Sequence, residues 1–186
     1  MAPNMTAQFG LFADCNPLTF SSKELRTLLS KHGVLIFRNN RLPIPELKEV
    51  MSKVGPLQNW DEQQAPKSHS DKDNPMLINL GNSDFLGKSR MAWHTDQTYL
   101  ETPYLPVRCL YSPFPPTPGN ITSFLDIKPF TALLQQEYPE LLNAQAKYYK
   151  NSDKDEFSIR SIFSYCEHLN MPVFRLDTRM EFIDTN

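Results

Sequence analysis

The sequence predicts an α+β protein whose core is a β-sandwich or barrel. Three observations predict it. Two amphipathic helical patterns stand at the front of the chain, the apolar runs that follow are short, and long prolyl connections separate those runs. Proline is abundant at 16 residues and clusters between Pro103 and Pro129, where it favours ordered connections over helices. The 186 residues suit a single domain, 1–186, with enough chain to bury a real core.

The first helix is read over Ser21 to Gly33. Ser21 and Glu24 have the spacing of a capping box, Leu25, Leu28 and Leu29 share one face, and Gly33 sits where a C-terminal cap belongs. Val34-Leu35-Ile36-Phe37 then reads as a strand. A second helix starts near Pro45, carries Leu47, Val50, Met51 and Val54 on one stripe, and stops at Gly55-Pro56. From Gln58 to Asn74 the chain is polar and without period, a loop long enough to suggest function. Met76 to Leu80 and Val107 to Tyr111 are expected strands. Phe130, Leu133 and Leu134 mark a third helix, and a further helical piece is expected over roughly Pro139 to Tyr149. Asn151 to Glu156 is a charged break, and Pro172 to Leu176 is strand-like.

Composition narrows the function. Hydrophobic residues make up 40% and charged residues 22%, the balance of a globular chain. A net charge of −2 and a pI near 6.1 give no electrostatic basis for binding nucleic acid or an anionic membrane. No apolar run approaches the roughly 18 residues of a spanning helix, and Met1 to Gly10 lacks a signal-peptide pattern. Cys15, Cys109 and Cys166 are odd in number and far apart. They read as reduced packing thiols in a cytoplasmic protein.

The chemistry concentrates in Trp93-His94-Thr95-Asp96. Side chains two residues apart on an extended segment share a face. His94 and Asp96 can therefore converge on one divalent metal, supplying two of the three ligands of a two-His-one-carboxylate iron site. A hydrolytic metal site is disfavoured, because no HExxH or further ligand cluster accompanies the pair.

The residues around this pair resemble the taurine dioxygenase-like family of Fe(II)/2-oxoglutarate-dependent oxygenases. Trp93-His94-Thr95-Asp96 with Tyr99-Leu100-Glu101-Thr102-Pro103 is close to that family's W-H-T-D-x-S/T-F/Y-x-E-x-P. His32-Gly33-Val34-Leu35-Ile36-Phe37-Arg38 and Val54-Gly55-Pro56-Leu57 resemble two earlier family segments, and Pro172-Val173-Phe174-Arg175 a later one. The resemblance covers most of the chain from about Ser21. It implies a jelly-roll (double-stranded β-helix) core with flanking N-terminal helices, and His94 and Asp96 as iron ligands. Fe(2+) and 2-oxoglutarate are the implied cofactors. The implied reaction is oxidation, foremost hydroxylation, of a small organic molecule with release of succinate and CO2. A carboxylate at Asp96 argues against the related halogenases, which have a small residue there. Gly119 to Asp126 resembles the family's GGxTxFxD segment and assigns Thr122 to a 2-oxoglutarate carboxylate. An ungapped count from His94 reaches Ile121 instead, but only the Thr122 hydroxyl can hydrogen-bond a carboxylate. Trp60, His69, Asn79 and Arg90 fall where the resemblance places the substrate pocket; of these, Asn79 and Arg90 are the substrate-binding candidates. Small-molecule substrates are the expected partners, and a homo-oligomer is compatible with the sequence.

The family completes its site with a distal His and an Arg that pairs with 2-oxoglutarate, and no matching segment occurs in these 186 residues. His168 has no motif around it, and Arg160, Arg175 and Arg179 read as ordinary strand or loop residues. Asp177 reads as half of a solvated pair with Arg175. The expectation is a fold incomplete at its C-terminus. A second reading therefore stays open, an inert jelly-roll remnant that serves as a binding module.

Overall fold

The computed structural model describes residues 9–57, 92–96, 98–100, 107–112, 122–149, 154–166 and 171–183. Strand β1 (Leu11–Ala13) pairs in parallel with β2 (Leu35–Phe37), and helix α1 (Ser22–His32) connects them. Both halves of the expected capping box form. The Ser21 Oγ accepts from the Glu24 backbone N–H, and the Glu24 carboxylate accepts from the Ser21 N–H. Gly33 ends α1 with φ of +72°, and a Cβ there would stand 2.9 Å from the Phe9 ring. The positive φ favours glycine there. Helix α2 (Ile44–Val54) follows and buries the predicted Leu47, Val50 and Val54. With Leu25 and Leu42 they form one core, joined at its margin by Val107 and Tyr111 from much later in the chain.

Helix α3 (Lys128–Glu137) leads into a 3-10 turn at Pro139–Asn143. The helical piece expected over 139–149 is overturned here, because Gln145–Tyr149 is strand β3, paired antiparallel with β4 (Phe157–Ser161) and with β7 (Glu181–Phe182). The physical reason is tertiary. Ala146 and Tyr148 are wholly buried on one face of β3 against Leu134, Ile162 and Phe174, and that burial outweighs a weak local helical preference. Strand β5 (Phe163–Cys166) forms a separate antiparallel pair with β6 (Met171–Phe174). The expected strand over 107–111 is absent; that segment is irregular, and the Tyr111 hydroxyl donates to the Leu42 carbonyl at 2.9 Å. Its side chains, rather than a ladder, fix it. The strand expected over 76–80 lies outside the described residues.

The described residues are thus a mix of helices and small sheets of two or three strands. Among the described residues no helix is long and apolar enough to cross a membrane. Cys15, Cys109 and Cys166 are free thiols, the last of them buried.

Tyr148 links the β3 core to the site. Its hydroxyl donates to the Arg175 carbonyl at 2.9 Å, and burial pushes its phenol up to about 12, a rise that Arg175 moderates and Asp177 increases. The unfolded phenol ionises near about 10. The neutral folded form therefore contributes stability in full below that pH, and the contribution is lost as pH rises from there to about 12. Urea unfolding of the parent should show this alkaline loss, and Tyr148→Phe should flatten it at a cost of about 1 kcal/mol at neutral pH.

Candidate metal centre

His94 and Asp96 stand on a short extended segment laid against the end of β6. The backbone there continues the sheet by one antiparallel bridge, His94 to Asp177. Thr95 is the peg. Its N–H donates to the Leu176 carbonyl at 2.6 Å, its Oγ1 donates to the Phe174 carbonyl at 3.1 Å, and the same Oγ1 accepts from the Leu176 N–H at 3.2 Å. Alternation does the rest: with Thr95 turned inward, the neighbours on either side turn outward. His94 and Asp96 are exposed while Thr95 is half-buried. Thr95→Val keeps the shape and removes the hydroxyl, so it should cost about 1–3 kcal/mol in denaturant unfolding, whereas Thr95→Ser should lose much less.

The two outward groups meet. The His94 Nε2 lies 3.2 Å from the Asp96 Oδ1. The His94 Nδ1 is 2.8 Å from the Ala92 carbonyl, which can only accept, so Nδ1 carries a hydrogen and Nε2 is the nitrogen offered to the site. A ring lone pair and a carboxylate oxygen at that separation repel unless a cation lies between them, either a proton on Nε2 or a metal ion. Divalent metals bind imidazole nitrogen and carboxylate oxygen at roughly 2.0–2.2 Å, so two such ligands near a right angle stand roughly 3 Å apart. The pair fits one metal as adjacent ligands. Among the described residues, no group of three or more His, Cys, Asp or Glu side chains is arranged to hold a metal ion.

A third group joins them from the 107–112 segment: the Arg108 Nε lies 3.2 Å from the Asp96 Oδ2. Tyr99 lies beside both. Burial raises its phenol pKa, the Arg108 charge lowers it and the Asp96 charge raises it.

Two sequence readings are corrected on the inner side of the segment. Arg175 is not an ordinary strand arginine. It is 2% exposed, and its Nη1 donates at 2.8 Å to both the Thr98 and Leu100 carbonyls, pinning the chain just beyond Asp96. Asp177 is buried rather than solvated, and its partner is Arg179 rather than Arg175. The Arg179 Nε and Nη2 donate to the two Asp177 oxygens at 3.1 and 3.0 Å. Burial alone would raise the Asp177 pKa, but the hydrogen bonds and charge of Arg179, with His94 nearby, leave it lowered. The segment around Arg175 gave no signal for this clamping role, since its contacts are 75 and 77 residues away along the chain.

Among the described residues, the structure brings together two of the site residues read from sequence, His94 and Asp96. Thr122 is exposed in the segment that leads into α3. Trp60, His69, Asn79, Arg90 and His168 lie outside the described residues.

Comparison with known proteins agrees with the motif. A family model described as taurine catabolism dioxygenase TauD, TfdA family matches residues 5–182. No curated protein and no solved structure matches the chain.

Proposed function

The chain belongs to the taurine catabolism dioxygenase TauD, TfdA family, and from that premise we propose that it oxidises a small organic molecule with Fe(II), 2-oxoglutarate and O2. Members of this family are in general Fe(II)- and 2-oxoglutarate-dependent dioxygenases built on a jelly roll. The reaction we assign is hydroxylation, in which one oxygen atom enters the substrate and the other enters succinate as 2-oxoglutarate loses CO2. The observation that carries this reading is the approach of His94 Nε2 to Asp96 Oδ1 at 3.2 Å, on a segment whose hydrogen bonds leave both groups facing outward.

The metal, when bound, supplies O2 activation and the oxidising power. The residues of this chain hold and orient. His94 and Asp96 are its ligands, and the Ala92 carbonyl fixes the His94 tautomer at 2.8 Å. Thr95 fixes the turn of the segment. We assign Thr122 to a 2-oxoglutarate carboxylate, and Asn79 and Arg90 to the substrate side, on the resemblance of their segments. The whole span 1–186 is assigned to one jelly-roll domain. Taurine is not the assigned substrate, because the residues before Trp93 do not resemble the taurine-specific pattern.

The test is stoichiometric. The chain incubated with Fe(II), 2-oxoglutarate and O2 should release succinate, and His94→Ala should not. Succinate formed equally by both, or by neither, would overturn the proposal.

A further inference from the structure

We propose that Arg108 is a positioning residue for the metal-binding carboxylate: it holds the Asp96 Oδ2, so that Oδ1 is the oxygen presented beside His94 Nε2 and Asp96 serves as a one-oxygen ligand. This rests on the metal reading of His94 and Asp96. The two carboxylate oxygens have different partners at the same distance, Oδ1 to His94 Nε2 at 3.2 Å and Oδ2 to Arg108 Nε at 3.2 Å. Chelation by both oxygens would require Oδ2 to swing from the guanidinium toward the imidazole. Arg108 resists that swing.

The resistance is real only if Arg108 itself is fixed, and its neighbours fix it. Val107 packs against the helical core containing Leu25 and against Cys166 and Val173, while the Tyr111 hydroxyl donates to the Leu42 carbonyl. The arginine therefore projects from a segment tied down on both sides. Its side chain is 27% exposed against 49% for Asp96. The cation is the better-anchored partner and the carboxylate the one that needs orienting. Two effects on metal affinity then oppose each other. The Arg108 charge repels a divalent ion, which weakens binding, and the fixed carboxylate loses less rotational freedom on binding, which strengthens it. Partners that orient a ligand in this way usually change affinity by about 10–100-fold, and solvent around the half-exposed carboxylate screens the opposing charge repulsion, so the orientation effect is the larger.

The experiment is calorimetric titration of the full chain with Co(II), an oxidation-resistant probe for this site. Arg108→Leu should raise the Co(II) dissociation constant roughly 10–100-fold with unchanged stoichiometry, and Arg108→Lys should recover part of the loss. Circular dichroism of the metal-free variants should match the parent, separating positioning from a fold defect. If Arg108→Leu does not fold, Arg108→Gln tests the same point with a longer polar stem. A variant that binds Co(II) as tightly as the parent, or more tightly, overturns the proposal while leaving His94 and Asp96 as ligands. A parent chain that binds no Co(II) overturns both readings at once. Nitrogen-15 NMR checks the pairing itself: the Arg108 Nε–H resonance should shift in Asp96→Asn, and an unmoved resonance refutes the contact.

Discussion

Asp96→Asn should weaken divalent-metal binding by more than the roughly 100-fold that a change outside the ligand shell produces. The amide preserves the shape of the side chain and its acceptor oxygen, so the loss reports the charge. In the parent, Asp96 would serve both the ion proposed beside His94 Nε2 and the Arg108 guanidinium, which stands 3.2 Å from it. In Asp96→Asn the guanidinium keeps its charge beside a neutral ligand, and its repulsion of a divalent ion is no longer offset. His94→Ala should produce a loss of similar size by removing the other ligand. The two side chains are 34% and 49% exposed, and ion pairs this open to solvent contribute little to stability, so neither change should move the metal-free unfolding midpoint much. Calorimetry with Co(II) and denaturant unfolding, run on the same preparations, separate the two quantities. A large loss of stability with unchanged affinity would mean the pair is structural.

Arg175→Leu should have the converse signature, a large loss of stability. The buried guanidinium donates through one nitrogen to the Thr98 and Leu100 carbonyls at 2.8 Å each. Hydrogen bonds from charged donors contribute about 1.5–3 kcal/mol apiece, so the substitution should cost about 3–5 kcal/mol. That is a large share of a typical domain's stability, equivalent to roughly 10 °C in melting temperature for a chain of this size. Leucine fills much of the space but leaves the Thr98 carbonyl without this donor, while the Leu100 carbonyl keeps the bond from the Arg160 Nε at 3.3 Å. Metal affinity should fall as a secondary effect, because the same carbonyls belong to residues 98 and 100, immediately beyond the ligand pair. Thermal unfolding followed by circular dichroism reads the main effect. A change below about 1 kcal/mol, the range of an ordinary surface substitution, would show that Arg175 does not clamp the segment.

These two arginines show where sequence reasoning reached and where it stopped. Helices α1 and α2 were legible because their determinants are local: a capping box four residues long, leucines at helical spacing, and stop signals at Gly33 and Gly55. His94 and Asp96 were legible for the same reason, since an extended segment puts alternate residues on one face. Strand β3 was not. Its identity depends on Phe157–Ser161 and Glu181–Phe182 arriving on its two edges, and nothing within Gln145–Tyr149 announces them. Neither the segment around Arg175 nor Asp177 carried a local mark of its role. Arg175 acquires its role only when the chain folds back on residues 98 and 100, and Asp177 is buried by the approach of the segment around His94. Arg108 is intermediate, a charged residue in an apolar run whose pairing with Asp96 becomes visible only in the folded chain. The motif marks the proposed ligands. The groups that hold them in place are scattered.

The central claim, that His94 and Asp96 converge on one iron that also takes 2-oxoglutarate, has a direct optical test. Fe(II) and then 2-oxoglutarate are added anaerobically to the purified chain, and the visible spectrum is recorded. The account expects a metal-to-ligand charge-transfer band that saturates with 2-oxoglutarate and is absent from His94→Ala and Asp96→Asn. A parent chain without the band, or a band of equal strength in the two variants, would contradict it.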